Sequence, residues 1–194
     1  MSSQPKTYFT PEEYLELERK AAHKSEYLNG EIFARGGASP RHVLIVTNVV
    51  SELRAQLKNR PCTVYSTDLR VRVSRTGLYT YPDVIVVCGN PQFADDHKDT
   101  LLNPTLIVEV LSKSTKDYDR GEKFEHYRTL ESFREYVLVA QDRHHVEHHV
   151  RQSDNTWLLS ETNRIEDTIE LVSIGCRLAL NEVYDKVDVL EAES

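Results

Sequence analysis

The segment that decides the fold is LIVEVLSKST, residues 106–115, in which five apolar side chains surround one acid. A short apolar run of this kind predicts a strand that is buried on both faces. Glu109 lies in its middle, where a carboxylate loses its water and must be paired, neutralised or bound to a metal ion. A second acid, Asp83, opens the apolar run of YPDVIVV at residues 81–87. Two acids on two buried strands predict a functional site.

The composition is that of a soluble globular chain, with 194 residues, of which 39% are hydrophobic and 28% charged. This length predicts a single domain over residues 1–194. No apolar run reaches the roughly 20 residues of a membrane span, so we expect no membrane association. The N-terminal stretch MSSQPKTYFTPEEY lacks the apolar segment of a secretory signal. We therefore expect a cytoplasmic protein, in which Cys62, Cys88 and Cys176 are reduced and mostly buried.

The charge is distributed unevenly along the chain. The formal net charge of −7 argues against indiscriminate coating of DNA, but the segment from Arg54 to Arg75 has six basic residues and one acid. A basic stripe on an acidic protein is compatible with polyanion binding on one face. A solvated amphipathic helix followed by an exposed edge strand explains the same charges, and the sequence leaves both interpretations open.

Hydrophobic periodicity and turn signals predict the order of the elements. A capping box, Thr10 to Glu13, starts a first helix, and Asn29-Gly30 predicts a hairpin turn. Helices are predicted at residues 11–22, 40–58, 115–130 and after a capping Asn181 near a polar tail, and strands at 62–73, 78–87, 105–112 and 134–140, with a closing hairpin around 153–155.

These elements predict an α/β fold with a restriction-endonuclease-like mixed sheet. Its core, at about residues 40–142, has the order α-β-β-β-α-β with flanking helices. A helix–hairpin unit is added at the N-terminus and a β-hairpin at the C-terminus. Because a helix joins the third and fourth strands, a right-handed parallel crossover is expected there.

Asp83 and Glu109 are expected to converge if their strands are neighbours in the sheet. Side chains alternate along a strand, so Glu109 and Leu111 point to one face, and Val108 and Val110 to the other. Two converging carboxylates make an oxygen-rich site that favours Mg²⁺ or Mn²⁺ over zinc. The alternative is a buried ion pair between Glu109 and a basic residue, with no metal.

The helix that follows these acids carries cations at helical spacing. Lys116, Arg120, Lys123 and Tyr127 are separated by four, three and four residues, so they are predicted to share one face. A lysine delivered beside metal-binding acids can orient or deprotonate a water molecule and stabilise charge on a phosphate. A solvated amphipathic helix with Glu–Lys pairs is the simpler explanation of the same pattern.

The order of motifs resembles the Uma-two family of restriction endonucleases, within the larger PD-(D/E)xK nuclease superfamily. The similarity extends over about residues 8–150. Each motif is weak by itself, whereas seven in the same order are specific. The motifs are SEYLNGEI, GGASPRH, STDLRVRV, YPDVIVV, NPTLIVEVLSKST, YDRGEKFEHYR and REYVLVAQD.

This resemblance implies catalytic roles for three residues. Asp83 would be the acid of the PD element, and Glu109 would be the acid of the (D/E)xK element. The chain departs from the superfamily pattern at Leu111, which stands two residues after the acid in the place of the lysine. In the Uma-two branch the resemblance implies a lysine from the following helix, and Lys123 matches it.

The resemblance also implies further residues around the site. Glu26 matches an acid that completes the metal site from the first helix. Tyr127 and Asp68 match positions with supporting or substrate-side roles. His42 matches a position where it could face the substrate, although capping or packing explains it equally well. Lys116 and Arg120, from the helical face, complete the candidate substrate-binding set.

The functional prediction is a Mg²⁺-dependent endonuclease, or one using Mn²⁺, that hydrolyses phosphodiester bonds of DNA. A homodimer would suit cleavage of both strands. The alternative is a non-catalytic nucleic-acid-binding or regulatory module that keeps the nuclease fold, and hydrolysis of a small phosphoester is a third option.

The four histidines of HHVEHHV, residues 144–150, are expected on an exposed edge strand and not in a zinc site. Alternation along a strand places two of them on each face, and no cysteine is near them in the sequence to complete a tetrahedral set.

Overall fold

Between residues 8 and 189, which are the residues the computed structural model describes, five helices and thirteen strands are formed. The first seven residues and the last five lie outside this part. Part of the N-terminal stretch that was searched for a secretory signal, and the end of the predicted polar tail, therefore lie outside the described residues. The helices are α1 Pro11–Glu18, α2 Pro40–Leu57, α3 Lys116–Arg120, α4 Glu122–Tyr127 and α5 Leu180–Val183. The strands are β1 Ser25–Leu28, β2 Glu31–Ala34, β3 Cys62–Ser66, β4 Arg70–Val73, β5 Leu78–Thr80, β6 Val84–Cys88, β7 Thr100–Leu101, β8 Leu106–Leu111, β9 Glu135–Ala140, β10 Val146–Arg151, β11 Trp157–Thr162, β12 Thr168–Leu171 and β13 Cys176–Ala179.

A six-stranded mixed sheet forms the centre of the molecule, in the order β11-β10-β9-β8-β6-β3. β8 and β9 pair in parallel, as the intervening helical segment predicted, and the other neighbours are antiparallel. All six residues of β8 and all six of β9 are buried. The predicted mixed α/β architecture and the burial of LIVEVL on both faces are therefore confirmed.

A second sheet has five strands in the order β2-β1-β5-β4-β7. The chain passes between the two sheets at two points where a predicted strand is interrupted. The predicted strand at 62–73 is in fact β3 in one sheet and β4 in the other. The predicted strand at 78–87 likewise divides into β5 and β6, because Pro82 has no N–H to donate to a sheet ladder. Asp83 follows this break, at the point where the chain passes from the second sheet to the first.

The two faces of the six-stranded sheet pack against different elements. Val84, Val86, Val108 and Val110 share a core with α2, β12–β13 and α5. The alternate side chains, Ile85, Val87, Ile107 and Leu111, share a second core with β4, β5 and α4. Because Glu109 alternates with Val108 and Val110, it points into the second core, towards α4.

Several local predictions are confirmed within residues 8–189. Thr10 and Glu13 form the capping box of α1, although the helix ends at Glu18 instead of residue 22. Asn29 and Gly30 form the turn between β1 and β2 with φ angles of 50° and 91°. The closing hairpin is β10–β11. The short C-terminal helix exists, but Ala179, and not Asn181, occupies its N-cap. No helix of this part is long and apolar enough to cross a membrane.

The prediction that all three cysteines are reduced is wrong. Cys62 and Cys88, predicted to be reduced, face each other across the β3–β6 pair with Cα atoms 4.0 Å apart and form a disulfide. Cys176 alone keeps a buried thiol. The sequence could not reveal the pairing, because the strand register that brings together two cysteines 26 positions apart is a tertiary property.

The basic segment from Arg54 to Arg75 does not form one continuous stripe. Arg60 donates to the carbonyl groups of Ile174 and Gly175, in the β12–β13 turn. Arg70 is buried and forms an ion pair with Asp99 at 2.7 Å. These two cations are engaged in folding contacts, so the charge pattern of this segment does not by itself identify a nucleic-acid surface.

Candidate active site

Asp83 lies beside Glu109 because of the register of β6 and β8. Val84 pairs with Val108 in this antiparallel ladder, so the next position brings Asp83 alongside Glu109. The Asp83 side chain is almost fully buried, and its Oδ2 accepts a hydrogen bond of 2.8 Å from the N–H of Val110. Burial alone would raise the pKa of Asp83, but the His42 ring and this N–H outweigh burial and hold the pKa below its usual value. Asp83 is therefore ionised at neutral pH.

Glu109 is the weaker acid of the pair. It is 2% exposed, and its Oε1 contacts the Nζ of Lys123 at 2.8 Å and accepts a hydrogen bond of 3.1 Å from Tyr127. Burial, with a smaller contribution from Asp83, raises the pKa of Glu109 to about 8 in spite of Lys123. A site in which one acid resists ionisation is one in which an added cation would be favourable.

Lys123 reaches this pair from α4 and is itself buried, with 3% of its surface exposed. Its Nζ lies 2.8 Å from Glu109, 3.4 Å from Asp119 and 3.9 Å from Glu26. Burial lowers the pKa of Lys123, but Glu109, Glu26 and Asp119 together raise it well above its ordinary value. These neighbours favour the charged form of Lys123, in which it acts as a hydrogen-bond donor.

Glu26 comes from β1 and not from the first helix, which corrects the placement that the resemblance implied. Its Oε1 accepts a hydrogen bond of 2.7 Å from Thr80 on β5. Arg35, which follows β2, bridges it to Asp83: the Arg35 Nε lies 3.8 Å from Glu26 and the Nη2 lies 3.6 Å from Asp83. Sequence analysis did not single out Arg35, which belongs to the loop RGGASP next to the quoted motif GGASPRH.

His42 and Tyr127 both contact the acids. His42 lies in the first turn of α2, where its N–H is capped by Ser39, and its Nε2 lies 3.1 Å from the Oδ1 of Asp83. Tyr127 is fully buried and donates to Glu109. The structure thus brings His42 to the cleft, as one of the two alternatives predicted, and gives Tyr127 a supporting contact beneath the acids.

The predicted cationic face of the helix after β8 is wrong. The predicted helix is interrupted at Gly121, whose φ and ψ of −102° and −101° separate α3 from α4. Arg120 therefore points away from the acids and binds Glu147 on β10, at 2.8 Å from its Nε. Lys116 is exposed on α3. Only Lys123 and Tyr127 of the predicted four lie against Glu109.

Asp68 does not join the acids either. It is exposed and forms an ion pair with Lys24. Asp119, which sequence analysis did not select, is closer to the site, because it is buried and contacts Lys123. The spacing of four residues between Asp119 and Lys123 was the available signal for this ion pair.

The acids face a large open cavity of about 1190 Å³. We call the lining residues Glu26, Arg35, Asp83, Glu109 and Lys123 its charged wall, and the cavity is also lined by the apolar residues Phe33, Val43, Val46 and Val50. The charged wall combines oxygen donors with ammonium and guanidinium groups. Such a combination suits a phosphate ester, whose oxygens bind cations.

The donor set of this wall fits a hard divalent cation. Asp83 and Glu109 offer carboxylate oxygens on adjacent strands, and Glu26 is a third carboxylate in the same cavity. The pKa of Glu109 is raised mainly by burial and further by Asp83, so an added cation would favour the ionised form of Glu109. These are the ligand type and the electrostatics that Mg²⁺ and Mn²⁺ require. In this arrangement Arg35 lies between Glu26 and Asp83, so the three carboxylates are spread around a guanidinium.

A separate group of ligand atoms lies on the six-stranded sheet. Within residues 8–189, His145, Glu147 and Glu161 are the three residues whose ligand atoms all lie within 4.8 Å of one another. Arg120 already compensates Glu147. The expected exposed edge strand for these histidines is wrong: β10 lies between β9 and β11, and His148 is 5% exposed.

The raised pKa of Glu109 predicts a pH-dependent stability. Since this pKa rises from 4.5 to about 8 on folding, the folded chain binds the proton more tightly than the unfolded chain does. The stability that Glu109 contributes is complete below pH 4.5 and is lost as the pH rises through about 8. Relative to Glu109→Gln, we expect the free energy of unfolding of the wild type to fall by on the order of 3 kcal/mol over this range, in urea denaturation.

Divalent ions should reverse this loss. Mn²⁺ at about 100 times its dissociation constant should restore roughly 2–3 kcal/mol to the wild type at alkaline pH, and much less to Glu109→Gln. Glu131→Gln, at an exposed position, is the matched control and should follow the wild type. Parallel pH curves for the wild type and Glu109→Gln would contradict the burial argument.

Comparisons with known proteins identify the family of this chain. The Uma2 family model, described as "Putative restriction endonuclease", matches residues 11–181. Two "uncharacterized" proteins of Synechocystis sp. (strain ATCC 27184 / PCC 6803 / Kazusa) are similar to this chain: sll1609 is 38% identical over 152 residues, 78% of this chain and 86% of its own length. The other, slr1290, is 35% identical over 184 residues, 94% of each chain.

A solved structure shows the same fold. The crystal structure of "a putative nuclease belonging to DUF820" from Anabaena variabilis ATCC 29413 superposes with a TM-score of 0.75 at 18% identity, over 92% of this chain and 99% of that one. At this identity the likeness concerns the fold alone. The predicted restriction-endonuclease-like fold is confirmed.

Proposed function

Because the chain belongs to the Uma2 family, described as "Putative restriction endonuclease", we propose that it is a metal-dependent nuclease that hydrolyses phosphodiester bonds of DNA. Family membership confirms the resemblance inferred from the seven motifs. The observation that carries the proposal is that Asp83, which immediately precedes β6, lines the same open cavity as Glu109 of β8 and Lys123 of α4, with Lys123 2.8 Å from Glu109.

The proposed cofactor is Mg²⁺ or Mn²⁺, held by Asp83 and Glu109 with Glu26 as a further ligand. When bound, a divalent ion supplies charge stabilisation for the phosphate and lowers the pKa of water. Asp83 can serve as a ligand in its ionised form, because its pKa is already below the usual value. Glu109 would give up its proton as the cation arrives.

Lys123 acts as a hydrogen-bond donor. Its Nζ is fixed by Glu109 and Asp119, and its raised pKa keeps it charged. From there it can orient a water molecule for in-line attack and stabilise negative charge on the phosphate. Since it occupies the side of Glu109 that faces α4, it replaces the strand lysine that Leu111 cannot supply.

A cleavage assay tests the proposal. Purified full-length chain, freed of metal with EDTA, is incubated with supercoiled plasmid, single-stranded circular DNA and a small phosphodiester, each with no ion, Ca²⁺, Mg²⁺ or Mn²⁺. We expect cleavage of DNA with Mg²⁺ or Mn²⁺ and none after EDTA. Cleavage restricted to the small ester would replace DNA by a small substrate, and cleavage that is unaffected by EDTA would contradict the proposal.

The second candidate is a nucleic-acid-binding or regulatory module without catalysis. The observation that favours it is that Lys123 and Arg35 already pair with Glu109, Asp83 and Glu26, so part of the charge of these acids is compensated without an added ion. This candidate predicts salt-sensitive DNA binding that needs no divalent ion, and no cleavage in the assay above.

A cytoplasmic location and a homodimer that cuts both strands remain part of the proposed nuclease.

A further inference from the structure

Arg35 holds its position between the acids by charge alone. Its distances to Glu26 and Asp83, 3.8 and 3.6 Å, are both longer than hydrogen bonds. The Arg35 N–H is fixed by the carbonyl of Lys24 at 3.0 Å, but the side chain is 27% exposed and lines the cavity. The guanidinium is therefore attracted to the acids without being locked there.

The chain after Arg35 is open. An added Cβ at Gly36 or at Gly37 would have no atom within 4 Å, so neither residue is packed against the body of the protein. The backbone that follows Arg35 can therefore adjust without steric conflict. The Arg35 Cζ also lies 5.9 Å from the centroid of the Tyr81 ring.

We propose that Arg35 is a reversible cationic plug, whose guanidinium occupies the space between Glu26 and Asp83 in the resting protein and moves to a phosphate of the substrate when a divalent ion binds. This inference rests on the proposed function, because it assigns the ion to the same acids. A guanidinium and a divalent ion compete for the same carboxylate oxygens. Once displaced, the planar guanidinium fits two phosphate oxygens at once, which an ammonium cannot do.

The plug makes a prediction that a structural ion pair does not. If Arg35 were only a structural cation, its removal would relieve repulsion of the ion and would leave DNA cleavage at saturating Mn²⁺ unchanged. If it competes with the ion, Arg35→Gln should bind the ion more tightly and yet cleave DNA more slowly. The two readouts move in opposite directions only under the proposal.

Calorimetric titration of the EDTA-treated full chain with Mn²⁺ measures the first readout. Removing a unit charge a few Å from the ion should tighten binding by about tenfold in Arg35→Gln, whereas Arg35→Lys, which keeps the charge, should stay near the wild type. Arg41→Gln is the matched control, since Arg41 begins α2 and pairs with Asp188, away from the acids. Asp83→Asn should abolish the binding event, which separates it from binding at His145, Glu147 and Glu161.

DNA cleavage measures the second readout. We expect Arg35→Gln to cleave about 10²-fold more slowly at saturating Mn²⁺, and Arg35→Lys to fall between it and the wild type. Unchanged or weaker Mn²⁺ affinity in Arg35→Gln would overturn the plug. Tighter affinity with normal cleavage would overturn the phosphate contact. Tighter affinity in a chain whose wild type cleaves no DNA would support the plug and reject the nuclease.

Discussion

Asp83→Asn is expected to lose at least about 10²–10³-fold in the rate of DNA cleavage while the protein stays folded. Asparagine has the same shape and can still accept the hydrogen bond from Val110, so β6 and β8 keep their register. What disappears is the negative charge, and with it the carboxylate that is ionised without help. Steady-state cleavage of plasmid DNA with Mn²⁺ measures the loss.

The fold of this variant can be checked through Glu109. Asp83 is one of the groups that raise the pKa of Glu109. In Asp83→Asn the decline of stability with pH should therefore shift to lower pH or shrink, a change that only a folded site produces. Asp96→Asn, at an exposed position, is the control and should cleave like the wild type. Full activity in Asp83→Asn would remove Asp83 from the site.

The sequence predicted the strands that carry the acids, because their signal is local. LIVEVL and VIVV are runs too short for a helix and too apolar for an exposed strand. The parallel pairing of β8 and β9 followed from the helical segment between them. Asp83 and Glu109 could be placed together on this basis, since only the register of one antiparallel pair was needed.

The remaining parts of the site depend on contacts that no local pattern encodes. Arg35 precedes two glycines in a loop, and only the packing of β1 against β5 brings it to Asp83. Arg120 and Lys123 are three residues apart, which in a continuous helix means one face. The break at Gly121 sends Arg120 to Glu147 instead. A glycine inside a helical pattern was the available warning.

Charge balance connects these features. Glu26, Asp83, Glu109 and Asp119 lie around two full cations, Lys123 and Arg35. Burying such a set rarely stabilises a fold more than apolar packing would. An excess of acid that is partly relieved by protonation of Glu109 is instead the state expected of a cation site before the ion binds. The same imbalance determines how the protein should respond to the loss of Lys123.

Lys123→Met should abolish cleavage and also destabilise the protein, because it leaves buried acids without their cation. Breaking a buried pair costs roughly 3–5 kcal/mol, but Glu109 can take up a proton, so we expect a smaller loss at acidic pH than at alkaline pH. Urea denaturation and plasmid cleavage measure the two effects, and Lys58→Met, at an exposed position, is the control. The double variant Lys123→Met/Glu109→Gln removes both charges of the 2.8 Å pair and should regain much of the stability and none of the activity.

If the double variant were as unstable as Lys123→Met at alkaline pH, the unpaired charge of Glu109 would not be the cause of the instability. If Lys123→Met cleaved DNA normally below its unfolding transition, Lys123 would be a structural cation alone.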